Sequence, residues 1–309
     1  MKKFILSLAL ICTAAASPRA DDYSPDARGT AALGFLKVGA GARAAALGGA
    51  YTALGDDASA LYWNPAGLLL PEKNSLVLMR AAYIGDVSFN YAAYSASLKG
   101  VGAFGASLDY MSAGQVAETD DQGFATGTMN PSDSALSLGF ARALGGWGFG
   151  GSYKFIKSKL KNSASVHAFD AGLISPRYLN GRLNFGAALL NLGGTIKYEA
   201  KAERLPFVAK AGAAYQVSPK AGFSADICFP VDEAWYAAVG AEFRMYSTEK
   251  MKFFWRSGFN TGTIGDFGGF NGFSAGVGLS FKDLRLDYAA VPMGVLGLSN
   301  RFSLTLGFK

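Results

Sequence analysis

From Leu76 onward, apolar side chains recur at every second position in segments of about nine to eleven residues, separated by Gly, Asn, Asp, Ser and Pro. A period of two is the mark of a β-strand with one apolar face. The last segment shows it most clearly: Phe302, Leu304, Leu306 and Phe308 alternate with Arg301, Ser303, Thr305 and Gly307. Phe273, Ala275, Val277, Leu279 and Phe281 alternate in the same way with Ser274, Gly276, Gly278 and Ser280. The pattern predicts strands near 75–84, 87–98, 101–111, 135–144, 147–158, 166–174, 182–192, 206–217, 221–229, 235–246, 251–260, 273–281, 284–291 and 300–308. That is about fourteen, an even number, as in bacterial transmembrane barrels.

The connections alternate in length. Tight turns at Lys99-Gly100, Gly145-Gly146, Asn180-Gly181, Pro219-Lys220 and Lys282-Asp283 interleave with longer loops near 112–134, 159–165, 193–205, 261–272 and 292–299. Barrel topology places the short turns in the periplasm and the long loops outside. Trp147, Phe149, Tyr153, Phe155, Trp235, Phe243, Phe253, Trp255 and Phe259 fall in the phase expected to face lipid. Asp109, Lys154, Asp170, Arg182, Lys210, Asp226, Glu242, Arg244, Arg256 and Asp287 fall in the opposite phase, where they would line the lumen and pair across it. Closure leaves no unpaired strand edge in hydrocarbon. A secreted two-sheet sandwich also satisfies the period of two, but gives no reason for the loops to alternate. Within 87–98, Phe89 and Tyr91 give way to Tyr94, Ala96 and Leu98, a phase change that predicts a bulge at Ala92 and Ala93.

The N-terminus reads as a secretory leader. Lys2 and Lys3 precede the apolar run Phe4–Ile11, and cleavage fits after Ala16 or after Ala20. Cys12 follows Leu10 and Ile11, which a lipoprotein signal disfavours, and it leaves with the leader. Cys228 then remains as the one mature cysteine, which excludes an intrachain disulfide. No mature stretch has the 18 to 20 or so consecutive apolar residues of a spanning helix, yet 50% of the chain is hydrophobic and only 17% is charged. Such a surface needs an apolar cover, and outer-membrane lipid supplies one to a barrel. The formal charge of +6 is scattered and partly in the leader, so it does not indicate a nucleic-acid partner.

Residues 33–70 follow neither period. Gly39, Gly41, Gly48 and Gly49 break the run from Leu33 to Leu54, Asp56 and Asp57 are placed to cap a short helix over Ala58–Trp63, and Pro65 suits the opening of a further turn. The segment is too small to fold alone, and is expected to pack inside or against the barrel. Gly34-Phe35-Leu36-Lys37-Val38-Gly39 with Gly41-Ala42-Arg43, then Leu47-Gly48-Gly49-Ala50, then Asp56 through Leu68 including Asn64-Pro65-Ala66-Gly67, resembles the PorV/PorQ family of outer-membrane proteins, relatives of the FadL-like channels. The resemblance implies an all-β transmembrane barrel plugged by an N-terminal hatch, with Asp56, Asp57, Asn64, Pro65, Ala66 and Gly67 in the hatch motif. It divides the chain into a leader at 1–20, a hatch at 21–74 and a barrel at 75–309. In a FadL-like wall, a kink at Ala92 and Ala93 would form a lateral opening.

Chemistry narrows little further. His167 is the single histidine and argues against a zinc site, no metal or cofactor set is evident, and no G-x-S-x-G or Ser-His-Asp set suggests an enzyme. Two roles in the bacterial outer membrane stay open. The first is protein secretion or surface assembly of the type IX kind, with secreted proteins or a secretion apparatus as partners. The second is hatch-gated transport of a small hydrophobic ligand. The loop Ser112–Ser134, with Glu118, Asp120, Asp121 and Asp133, suits contact with protein at least as well as a greasy landing site.

Overall fold

In hydrocarbon every backbone N–H and C=O needs a partner within the protein, so strands can span only as a closed sheet. The computed structural model, which describes residues 22–71, 73–83, 85–198, 201–264, 271–293 and 297–308, closes in this way. The leader expected at 1–20 lies outside these residues. The strands are β1 (Asn74–Ala82), β2 (Ser88–Leu98), β3 (Gly102–Ser112), β4 (Val116–Thr119), β5 (Ala125–Met129), β6 (Ser132–Leu144), β7 (Trp147–Lys159), β8 (Ser163–Ile174) and β9 (Leu183–Gly193). They continue with β10 (Thr195–Lys197), β11 (Ala202–Arg204), β12 (Val208–Ser218), β13 (Ala221–Pro230), β14 (Tyr236–Ser247), β15 (Met251–Asn260), β16 (Phe273–Phe281), β17 (Leu284–Pro292) and β18 (Leu298–Phe308). Fourteen of them form one closed antiparallel barrel, in which each pairs with its sequence neighbour among the fourteen and β1 closes on β18.

Each of the fourteen expected strands is present. β6 and β8 begin three residues earlier than expected, at polar positions that the hydrophobic pattern does not mark. Two small hairpins were not expected: β4–β5 rises from the loop between β3 and β6, and β10–β11 from that between β9 and β12. Both sit at the long-loop end, which faces outward.

The outward phase is greasy, as lipid requires: Leu78, Phe104, Leu136, Phe149, Phe169, Phe223, Trp255, Leu286 and Phe302 are all exposed. The charged residues of the inward phase line the interior as expected, but their pairing differs from the expectation. Lys154 pairs with Asp170 at 2.9 Å and Lys210 with Asp226 at 3.6 Å, each between neighbouring strands and not across the lumen, because the hatch occupies the middle. Arg182 sits in the turn before β9 rather than on a strand.

The bulge expected at Ala92 and Ala93 is absent. β2 pairs without a register shift to both β1 and β3, and the irregularities fall instead in the β8–β9, β12–β13 and β14–β15 ladders. Phe89, Tyr91 and Ala93 all point inward and are buried, while Tyr94 points out and stacks on Phe308 with ring centroids 5.9 Å apart. The phase change misled because the lumen wall here meets protein, not water. Tyr91 stands edge-on to Tyr62 of the hatch at 6.2 Å, so large apolar side chains belong on the inner face as well as the outer. The lateral opening inferred from the kink therefore has no bulge to form it.

Removing an inward ring should create a cavity, whereas removing an outward one should cost only its stack. Tyr91→Ala is expected to lower the stability of the vesicle-embedded barrel by about 3 kcal/mol, and Tyr94→Ala by about 1 kcal/mol. Urea midpoints would show this order, and the reverse order would refute the facing assigned to β2.

Candidate functional site

The N-terminal segment enters at the outer rim, crosses the lumen and reaches β1 at the periplasmic end. At the rim, Lys37 Nζ lies 2.7 Å from Asp232 and 3.3 Å from Glu233, and Ala31 bridges to Arg204. Helix α1 (Ala42–Ala46) packs along β15 to β18, and α2 (Ala60–Trp63) is followed by a single 3-10 turn over Pro65–Leu69. Pro65 opens that turn and Asn64 caps it, its side-chain oxygen accepting from Ala66 N at 3.1 Å. The capping expected of Asp56 and Asp57 is divided. Asp57 accepts from Ser59 N at 2.9 Å before α2, while Asp56 turns away to pair with Arg43.

Bonds between hatch and wall hold the irregular backbone at many points, among them those of Asn64, Asp226 and Arg301. The Asn64 amide donates to Thr52 O at 2.9 Å within the hatch and to Leu173 O of β8 at 3.1 Å. Asp226 of β13 accepts from Tyr51 N and Thr52 N, each at 3.0 Å, and from the Thr52 hydroxyl at 2.6 Å. Arg301 of β18 donates to Val38 O at 2.9 Å. Trp63 anchors the interior: its indole N–H donates to Ala40 O at 2.8 Å, and Lys210 lies 4.6 Å from the centre of its ring.

The four glycines singled out from the sequence all have positive φ. At two of them a side chain would also meet a neighbour: a Cβ on Gly39 would crowd the Trp63 ring at 3.2 Å, and one on Gly48 would strike the Phe259 backbone at 2.9 Å. The wall answers with glycines of its own. A Cβ on Gly150 of β7 would lie 2.3 Å from Ala66 N, one on Gly172 of β8 2.1 Å from Asn64 Oδ1, and one on Gly258 of β15 2.1 Å from Gly48 N. Sequence reading passed over these wall glycines because glycine in a strand usually signals weakness; the available signal was their recurrence in the inward phase.

A chain of ion pairs closes on the motif. Asp56 pairs with Arg43, which holds Glu242 of β14 with two bonds of 2.8 and 2.9 Å. Glu242 accepts from Arg256 of β15 at 2.5 Å, and Arg256 donates to Asp287 of β17 at 2.7 Å. Asp287 accepts from Arg285 at 2.9 Å, and Arg285 returns to Asp57. The chain of seven side chains thus starts and ends on adjacent hatch residues. Burial by itself would raise the Asp57 carboxyl, but Arg285, Ser59 and Arg43 together hold it below its ordinary value. Ala66 and Gly67 are buried beneath the wall, and Ala92 and Ala93 lie on β2 away from this network. Among the described residues no group of His, Cys, Asp and Glu could hold a metal.

A closed fourteen-strand barrel with a greasy outer face and a hatch bonded into its lumen defines an outer-membrane protein of the hatch-bearing class. The family described as type IX secretion system protein PorV matches residues 24–218, from the hatch to the end of β12, and the chain belongs to that family. No curated protein sequence matches the chain. Among solved structures, the toluene transporter TodX of Pseudomonas putida is similar at 14% identity and a TM-score of 0.59, covering 86% of this chain and 96% of that one. The toluene transporter TbuX of Ralstonia pickettii has 16% identity, a TM-score of 0.53 and coverage of 88% and 99%. A FadL homologue of Pseudomonas aeruginosa has 13% identity, a TM-score of 0.52 and coverage of 91% and 98%. At these identities the likeness is one of fold.

Asn64→Asp keeps the shape but loses both donated bonds and sets a carboxylate against two carbonyls. A loss of about 2–3 kcal/mol is expected, read as protease cleavage of the hatch at lower urea while the barrel keeps its heat-modifiable gel shift; unchanged protection would show that Asn64 does not staple the hatch. The ring also carries a pH signature. A carboxyl held below its ordinary pKa of 3.8 contributes stability that is complete above that value and lost as pH falls through the depressed one. Hatch protection should therefore be flat from about pH 8 to about pH 5 and fall only in stronger acid; a loss near neutrality would contradict the ring.

Proposed function

We propose that this barrel serves protein secretion or surface assembly of the type IX kind, with its extracellular hairpins as the contact surface and its hatch as a standing plug. Family membership supports the setting, and the β4–β5 hairpin is the observation that carries the reading. Its turn is built around Asp120, whose carboxylate accepts from Gln122 N at 3.0 Å and Phe124 N at 2.9 Å, while Asp120 N donates to Phe124 O at 2.9 Å. This hydrogen-bonded turn presents Phe124, 69% exposed, at the tip of a hairpin outside the barrel sheet, with Asp120 and Asp121 beside it. An aromatic side chain held out by a hydrogen-bonded polar turn offers an anchor of the kind that carries protein interfaces. Hatch-gated transport of a small hydrophobic compound is the competing reading, which the fold of the toluene transporters keeps in view.

The two readings part on one variant. Phe124→Asp in the native host is expected to reduce surface display of exported protein at least several-fold while the barrel keeps its heat-modifiable shift. Uptake of small aromatic compounds should stay unchanged. Normal display with impaired uptake would overturn the secretion reading in favour of transport.

A further inference from the structure

At the short-turn end, the barrel mouth below the hatch encloses a cavity of about 460 Å³. Three of its lining cations, Arg43, Arg256 and Arg285, are already matched by the four carboxylates of the ion chain. The others are not. Lys220, Arg244, Lys250, Lys252 and Lys282 surround the same cavity, and among the described lining residues only Glu249 adds a carboxylate outside the ion chain. None of these five cations has an ion-pair partner among the described residues; Arg244 donates to the Pro219 carbonyl and Lys282 lies over the Phe281 ring. The mouth therefore holds a concave, net positive field, bounded above by the hatch residues Arg43 and Asp56.

We propose that this mouth is the docking site for an acidic peptide segment of a periplasmic partner protein. The geometry selects the class of ligand. Five cations distributed around one cavity match several carboxylates carried on one chain, whereas a single small anion would engage only a fraction of them. A lipid headgroup belongs to the other side of the wall, since the cavity opens among inward-facing residues such as Arg256, Glu242 and Arg285. An extended acidic segment enters such a mouth without moving the barrel, and the surrounding protein walls strengthen each ion pair relative to a flat surface. Asp56, with its side chain 46% exposed, is the one half-open member of the ion chain and faces this cavity, so the docking site adjoins the latch that holds the hatch. The inference does not depend on the secretion reading: it concerns the opposite end of the molecule, and Phe124→Asp leaves it intact.

The test uses the whole barrel in neutral detergent and a fluorescein-labelled hexaglutamate peptide followed by anisotropy. Salt-sensitive binding is expected, weakened at least tenfold by the combined Lys220→Glu, Lys250→Glu and Lys252→Glu substitutions. The matched set at the outer rim, Lys157→Glu, Lys159→Glu and Lys197→Glu, should leave it unchanged. Equal weakening by the two sets would mean diffuse attraction and overturn the site. Displacement of the peptide by anionic phosphatidylglycerol, but not by zwitterionic lipid, would assign the mouth to headgroups and overturn the peptide. Should the triple variant lose its heat-modifiable shift, a photo-crosslinking hexaglutamate on the unaltered barrel decides: attachment within 216–220, 249–256 or 280–285 supports the site, and attachment to the outer loops refutes it.

Discussion

A polypeptide with only short helical turns crosses a lumen at membrane depth, and each of its peptide groups must find a partner there. The rest of the structure follows from that demand. The wall supplies carboxylate, amide and guanidinium groups to the hatch backbone: Asp226 accepts from the amides of Tyr51 and Thr52, Asn260 donates to the Gly48 carbonyl and Arg301 to the Val38 carbonyl, while Asn64 of the hatch ties Thr52 to Leu173 of β8. Bonds this short require the two backbones to approach closely. That is why glycines such as Gly150, Gly172 and Gly258 stand on the inner face, where any side chain would strike the hatch.

The charge chain obeys the same logic at higher stakes. Burying arginines and carboxylates together rarely adds much to stability, but removing one member strands its neighbours. Because the chain leaves from Asp56 through Arg43 of α1 and returns to Asp57 from Arg285, α1 and the loop between α1 and α2 are both tied to charged groups on β14, β15 and β17. Moving the hatch therefore means parting both hatch-to-wall pairs of the chain, Arg43–Glu242 and Asp57–Arg285, at once. A segment held in this way suits the proposed use of the molecule's two ends, where the Phe124 hairpin and the basic mouth lie.

Much of the fold was legible from residues alone. Lipid on one side and a packed or polar lumen on the other impose a period of two, so all fourteen barrel strands follow from positions such as Phe302, Leu304 and Leu306, and their order follows from the alternation of short and long connections. The motif around Asn64-Pro65 also announced a capped turn, and Asn64 caps it. The two outer hairpins were missed because their residues are mostly polar and exposed on both faces, which leaves no alternation to read.

The sequence by itself determined the barrel and its strand count, which rest on local periodicity, and the capped turn at Asn64-Pro65, which rests on turn chemistry; the hatch entered through the family resemblance. Only the tertiary structure decided which way Phe89 and Tyr91 face, since an apolar residue is at home against lipid or against a packed hatch, and nothing local distinguishes the two. It alone decided the partners of Arg43, Glu242, Arg256, Asp287 and Arg285. Ion pairing depends on which side chains the closed wall brings within a few ångströms, and residues up to 228 positions apart along the chain, Asp57 and Arg285, meet only once the barrel has closed around the hatch.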